Sequence, residues 1–114
     1  MTRLSLLLPF VALTACYSEA NYAEDYQRIA CEKTLECFTE DQAALLDYAD
    51  VDECLDYFAD AISEVEDSFV SEECTFDKGA AKECVSEYEA LDCEDALAGA
   101  YPDACGEICE EWRL

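Results

Sequence analysis

Two sets of residues in this 114-residue chain could do chemistry: nine cysteines and 29 carboxylates, set against six Lys and Arg and no histidine. The cysteines are Cys16, Cys31, Cys37, Cys54, Cys74, Cys84, Cys93, Cys105 and Cys109. None of them forms a Cys-x-x-Cys pair, and no imidazole can complete a mixed site, so the spacing argues against structural zinc or an iron–sulfur cluster. Without histidine, the Ser-His-Asp and Cys-His arrangements of nucleophilic catalysis are also unavailable. The chemistry left to the thiols is oxidation to disulfides.

The carboxylates have their own pattern. Asp52, Asp56, Asp60 and Glu64 recur at i, i+4, with Glu53 and Asp67 alongside, opposite an apolar stripe. Like charges one turn apart cost an isolated helix about 0.2–0.5 kcal/mol per pair. Such a ladder could bind Ca²⁺ or Mg²⁺ loosely or attract a basic partner; the plainer reading is a solvated acidic face. Asp50-Val51-Asp52-Glu53-Cys54 lacks the third ligand position and the glycine of a calcium loop. Carboxylates on successive turns, about 6 Å apart and pointing outward, concentrate cations without caging one. The four ladder acids are therefore only weak metal candidates, and no cofactor is expected.

Acid–base hydrolysis needs two carboxylates in a cleft with separated pKa values, which a small stapled bundle hardly offers. Ser18, Ser63, Ser68, Ser71 and Ser86 have no histidine base, and no motif supports a Ser-Lys dyad with Lys33, Lys78 or Lys82. No catalytic residue is predicted and the chain does not read as an enzyme. A net charge of −23 excludes binding to nucleic acid by phosphate neutralisation.

Residues 1–15, MTRLSLLLPFVALTA, carry Arg3 and an apolar run interrupted by Pro9, and every acid follows Cys16. That break in composition marks a targeting segment. The run would span about 20 Å as a helix, short of the roughly 30 Å hydrocarbon core of a bilayer. Leu13-Thr14-Ala15-Cys16 resembles the bacterial lipobox. The resemblance implies cleavage before a lipidated Cys16, and two or three acyl chains at ~0.8 kcal/mol per methylene make a durable anchor. Release of residues 1–15 removes Arg3 and no acid, so 5 bases and 29 acids give the exported domain a charge of −24. It also leaves Cys31, Cys37, Cys54, Cys74, Cys84, Cys93, Cys105 and Cys109, an even set that reads as four disulfides; eight cysteines allow 105 pairings, and spacing does not choose among them.

The elements that position these residues read as helices throughout, since glycine and proline are scarce and no alternating strand pattern occurs. After a lipidated tether at 16–21, Asn21 is expected to cap a first helix at about 22–38, with Tyr22, Tyr26, Ile29, Ala30 and Cys37 on its apolar stripe. Thr39-Glu40-Asp41-Gln42 reads as a capping box opening a short helix through Leu45, Leu46 and Tyr48. Asp50-Val51-Asp52-Glu53 is a second box, opening one long helix in which Val51, Cys54, Leu55, Phe58, Ile62, Val65 and Phe69 recur at steps of three and four. Residues 71–75 connect to a helix at about 78–91 capped by Asp77, with Phe76 as a staple toward Ala81. A brief turn at 94–98 ends near Gly99, Tyr101-Pro102 makes a corner, and Asp103 caps a last helix placing Cys105, Ile108, Cys109 and Trp112 on one face. Cys105 and Cys109 then reach different partners. The fold class is all-α: a small disulfide-stapled bundle of about four to five helices spanning 22–114.

The lipobox, Cys74-Thr75-Phe76-Asp77, Ala80-Ala81-Lys82-Glu83-Cys84-Val85, Cys93 and Tyr101-Pro102-Asp103-Ala104-Cys105 resemble the small cysteine-rich lipoproteins of myxobacteria and their relatives. The resemblance implies an exported, lipid-anchored helical domain and carries over no catalytic residue. The expected role is a structural or interaction module of the cell envelope whose contact with the bilayer is through acylated Cys16. Tyr17, where an aspartate would retain enterobacterial lipoproteins at the inner membrane, points to the outer membrane or cell surface. The alternatives are a low-affinity divalent-cation binder and an inhibitor of a secreted hydrolase.

Overall fold

The computed structural model describes residues 17–113. The chain is all-α: α1 (Glu19–Cys37), α2 (Glu40–Ala43), α3 (Val51–Tyr57), α4 (Ala59–Phe69), α5 (Lys78–Ala90) and α6 (Cys93–Leu97), followed by 3₁₀ turns at Asp103–Gly106 and Glu110–Trp112. Among the described residues the one β feature is an isolated antiparallel bridge between Phe76 and Cys109. The central helix is α1, against which α3, α4, α5 and α6 all pack.

Helix starts follow local chemistry. Ser18, not Asn21, caps α1: its hydroxyl accepts from the Asn21 backbone N–H at 3.3 Å, and the Asn21 side-chain oxygen accepts from the Ser18 N–H at 3.0 Å. Asn21 is thus the third helical residue of a reciprocal box, and the helix starts three residues before the expected position. Residues 19–21, expected in a tether, are its first turn. Thr39 and Gln42 form the predicted box on α2, Asp50 accepts from the Glu53 N–H, and Asp77 accepts from the Ala80 N–H. Asp92 caps α6 in the same way, and Gly99 ends that region with φ +81°, the left-handed conformation in which glycine meets no Cβ penalty.

Three expected helices come out differently. α2 stops at Ala43, and Tyr48 leaves the helical path to stack on Tyr57 and Phe58, at ring separations of 5.5 and 5.9 Å. The long helix expected after Asp50 bends at Phe58 into α3 and α4. The break falls at Phe58, whose φ of −98° and ψ of 14° leave the helical range, and each half is anchored on α1, Cys54 by its bond to Cys31 and Phe69 by packing on Tyr22. Val65, expected on the buried stripe, is exposed. At the C-terminus the helix expected from Asp103 is two 3₁₀ turns, with Asp103 inside the first and Pro102 before it. The Asp77 N–H donates to Ile108 O at 2.7 Å and the Glu110 N–H to Thr75 O at 3.1 Å, so residues 108–110 are drawn into a bridge that competes with helical bonding. Cys105, Ile108 and Cys109 are buried as expected, whereas Trp112 is half exposed.

The core lies where the N-terminal half of α1 meets α4, α5 and the C-terminal segment. It comprises Tyr22, Phe69, Ala80, Ala81, Cys84, Ala104, Cys105, Ile108 and Cys109, with Tyr17, Tyr26, Phe76 and Val85 packed around it. Four disulfides staple the bundle: Cys31–Cys54 joins α1 to α3, Cys37–Cys93 joins the end of α1 to α6, Cys74–Cys109 closes the C-terminal segment on the loop after α4, and Cys84–Cys105 joins α5 to the first 3₁₀ turn. Cys105 and Cys109 do reach different partners.

Candidate functional site

Two places on the molecule gather the residues singled out by type and spacing: the start of α1 and the acidic segment from α2 to α4. Leu13-Thr14-Ala15-Cys16 lies outside the described residues, but Tyr17, the next residue, does not. Its ring packs against the core, its Oη donates to Asp25 Oδ2 at 3.2 Å, and Lys82 Nζ lies 5.6 Å from the ring centroid. Asp25 also accepts from Arg28 Nη1 at 3.0 Å, and Arg28 pairs with Glu24 a turn away. Sequence reasoning missed this seat because its members come from α1 and α5, 57 residues apart at Asp25 and Lys82. The part of it legible in the sequence is Ser18-x-x-Asn21, the capping pair that brings Tyr17 onto the bundle.

Five tyrosine hydroxyls surround this end of the bundle. Burial raises the Tyr17 phenol well above its ordinary range, and the Asp25 charge and hydrogen bond add to the effect. Burial likewise raises Tyr22, Tyr88 and Tyr101, and it pushes Tyr26 up to about 12 with help from its neighbours Tyr88 and Tyr101. These phenols therefore stay protonated at neutral pH, and Tyr17, Tyr22 and Tyr101 serve as donors. Tyr22 Oη donates to Cys84 Sγ at 3.5 Å, the disulfide sulfur having no proton, and Tyr101 Oη donates to Cys105 O at 3.2 Å.

A shallow groove of about 500 Å³ between α1 and α5 is lined by Tyr17, Asp25, Lys82, Ser86 and Glu89. Lys82 and Ser86 both line it, with the Lys82 ammonium over the Tyr17 ring. Lys33 donates to Glu89 O at 2.7 Å and also to Leu91 O, satisfying carbonyls at the end of α5. Lys33 thus acts as a helix cap supplied by a neighbouring helix.

The acid ladder is divided by the bend at Phe58: Asp52 and Asp56 belong to α3, Asp60 and Glu64 to α4, and all four are exposed. Among the described residues no group of three or more cysteine or acidic side chains is placed to hold a metal ion, so the ladder does not converge into a cage. Glu53, beside it, is engaged in the backbone, accepting from the Ala49 N–H at 2.8 Å. Two other carboxylates are held below their ordinary range at the C-terminal clasp. Asp77 accepts from the Ala80 N–H and pairs with Arg113, and Glu111 accepts from the Thr75 N–H and Oγ1, both at 2.7 Å.

Beside the ladder, α2, the turn after it and the start of α3 form a second groove of about 480 Å³, lined by Leu35, Ala43, Leu46, Tyr48 and the acids Asp47 and Glu53. No described helix is long and apolar enough to cross a membrane. No family model matches the chain, and no curated protein or solved structure is significantly similar to it.

Proposed function

We propose that this chain is an exported lipoprotein of the cell envelope, cleaved before Cys16, acylated there, and acting through its folded domain as a structural or interaction module. The observation that carries the reading is the cysteine balance. Cys31, Cys37, Cys54, Cys74, Cys84, Cys93, Cys105 and Cys109 pair among themselves, which leaves no cysteine of this chain as a disulfide partner for the one that ends Leu13-Thr14-Ala15-Cys16. Four disulfides also suit an oxidising compartment outside the cytoplasm. Tyr17, in place of the aspartate that would retain an enterobacterial lipoprotein at the inner membrane, favours the outer membrane or cell surface.

The seat of Tyr17 bears on how such an anchor works. With Tyr17 docked and Ser18 capping α1, the acyl-bearing residue is one peptide bond from the folded surface, so the domain rides close to the bilayer instead of swinging on a linker. Mass spectrometry of the protein extracted from bacterial membranes tests the reading. The expected N-terminal fragment starts at Cys16 and carries two or three acyl chains, and a Cys16→Ala chain moves to the aqueous phase on detergent partitioning. An unacylated chain, or one cleaved at another bond, overturns it.

A further inference from the structure

We infer that the surface formed by α2, the turn after it and α3 is a docking site for a cationic amphipathic segment of a protein partner, one presenting an apolar stripe flanked by lysine or arginine. The inference deepens the interaction-module reading but does not depend on acylation of Cys16.

Three observations converge on this surface. Its apolar groups are uncovered: Leu45 is 85% exposed, the highest value among the large exposed hydrophobic residues, and Tyr57 is 56% exposed. Leu45 stands between Ala44 and Leu46, both on the wall of the second groove, and Tyr48, also on that wall, stacks on Tyr57 at 5.5 Å. The apolar ground is therefore continuous from the groove to the exposed ring, the kind of surface on which an amphipathic helix lays its apolar face.

The rim has one sign. Residues 39–58 contain seven acids, from Glu40 to Asp56, all exposed, and no base. No lysine or arginine occurs between Lys33 and Lys78, and the nearest cations along α1 are engaged elsewhere, Arg28 with Glu24 and Asp25 and Lys33 with the carbonyls at the end of α5. Complementary charge selects a cationic partner and steers its approach, while the apolar groove supplies the contact that persists when salt screens the rim. A second copy of this chain would bring the same acids against these, and an anionic lipid surface would be repelled.

The surface is also held rigid without being covered. Cys54 is buried and bonded to Cys31, and Cys37–Cys93 holds the chain just before α2, so the backbone under the groove is fixed by covalent links. Such preorganisation lowers the ordering cost of binding.

The test uses the protein as isolated in detergent, whatever its N-terminus, titrated by calorimetry with two synthetic helical peptides of equal lysine content. One has leucine on its apolar face and the other serine. The leucine peptide is expected to bind at least ten-fold more tightly than the serine peptide and to retain binding at 0.5 M salt, where the serine peptide loses it. Leu45→Ser with Tyr57→Ser is expected to weaken the leucine peptide at least ten-fold, whereas Val70→Ser with Leu97→Ser, exposed apolar residues elsewhere, changes it less than two-fold. Circular dichroism confirms that both variants fold. Equal binding of the two peptides, or equal loss in both variants, reduces the attraction to bulk charge and overturns the proposal, as does self-association through this face in sedimentation. Because none of these readouts depends on the acyl group, their failure is separate from failure of the lipoprotein reading.

Discussion

The molecule holds two aromatic clusters of nearly the same ring geometry and opposite exposure. At the core end, Tyr22 and Phe69 are 5.2 Å apart and Phe69 and Trp112 5.3 Å, with Tyr22 and Phe69 almost wholly buried. At the acidic end, Tyr48 and Tyr57 are 5.5 Å apart and Tyr57 and Phe58 4.9 Å, with Tyr57 largely in solvent. The first cluster is roofed by α5 and by the C-terminal segment that Cys84–Cys105 and Cys74–Cys109 press onto it. The second has no covering element among the described residues and is held in place from beneath by Cys31–Cys54. Apolar burial and a covalent link are therefore alternative ways of holding a helix on α1, and only the link leaves the aromatic face open. A chain of this size and charge density has a small core, and cross-links make up for it.

Removing packing should separate the two ends most sharply. Phe69→Ala, which empties the middle of the buried ring cluster, is expected to cost about 3–5 kcal/mol in denaturant unfolding. Tyr57→Ala on the exposed cluster should cost less than about 1 kcal/mol. Comparable losses at the two sites would mean that the outer cluster is buried in solution and the contrast is wrong.

Removing the links gives a finer comparison. Cys31–Cys54 and Cys84–Cys105 close separations of 23 and 21 residues, so chain entropy assigns each about 3 kcal/mol. With that contribution matched, any difference measures what surrounds the bridge. Paired Cys84→Ala and Cys105→Ala substitutions should expose amides throughout the domain to hydrogen exchange, because these sulfurs lie within the main core. Paired Cys31→Ala and Cys54→Ala substitutions should raise exchange chiefly in residues 39–58 and leave α5 protected. Uniform loss of protection in both variants would merge the two ends into one cooperative unit.

The smallest effect is expected at the C-terminal clasp, and it depends on pH. Asp77 and Glu111 are held below the ordinary carboxylate range in the folded chain, so their contribution is present above that range and is lost as pH falls through their depressed values. Acidification below about 4 should therefore free the Thr75 amide and residues 110–113 to exchange, while relief of repulsion among the other acids leaves the main helices in place. Glu111→Gln should make the Thr75 amide exchange faster at neutral pH as well, and a Thr75 amide insensitive to both changes would remove Glu111 from the clasp.

Much of this architecture was legible in local chemistry. Thr39-x-x-Gln42, Asp50 and Asp77 marked helix starts because a cap is decided by a side-chain acceptor within reach of the next turn's N–H groups. The first cap is Ser18 and not Asn21, and both members of that box stand within one turn in the sequence. The all-α class and the inward placement of Cys54, Cys84, Cys105 and Cys109 followed from periodicity. The seat of Tyr17 was not legible, because it brings Tyr17 and Asp25 together with Lys82 across the fold, and the groove beside Leu46 was not because it forms only where the chain leaves the helical path after Ala43.

The sequence by itself determined that the fold is all-α, where most helices begin, how many cysteines must pair, and that the surface is acidic. Each of these depends on composition or on neighbours within four residues. Only the tertiary structure decided which cysteines pair, why the helix after Asp50 bends at Phe58, why residues 108–110 leave the helical path, and which aromatic cluster remains open. Those outcomes depend on distances between residues 21 to 56 positions apart, the separations the four disulfides span, and packing of the whole chain sets such distances.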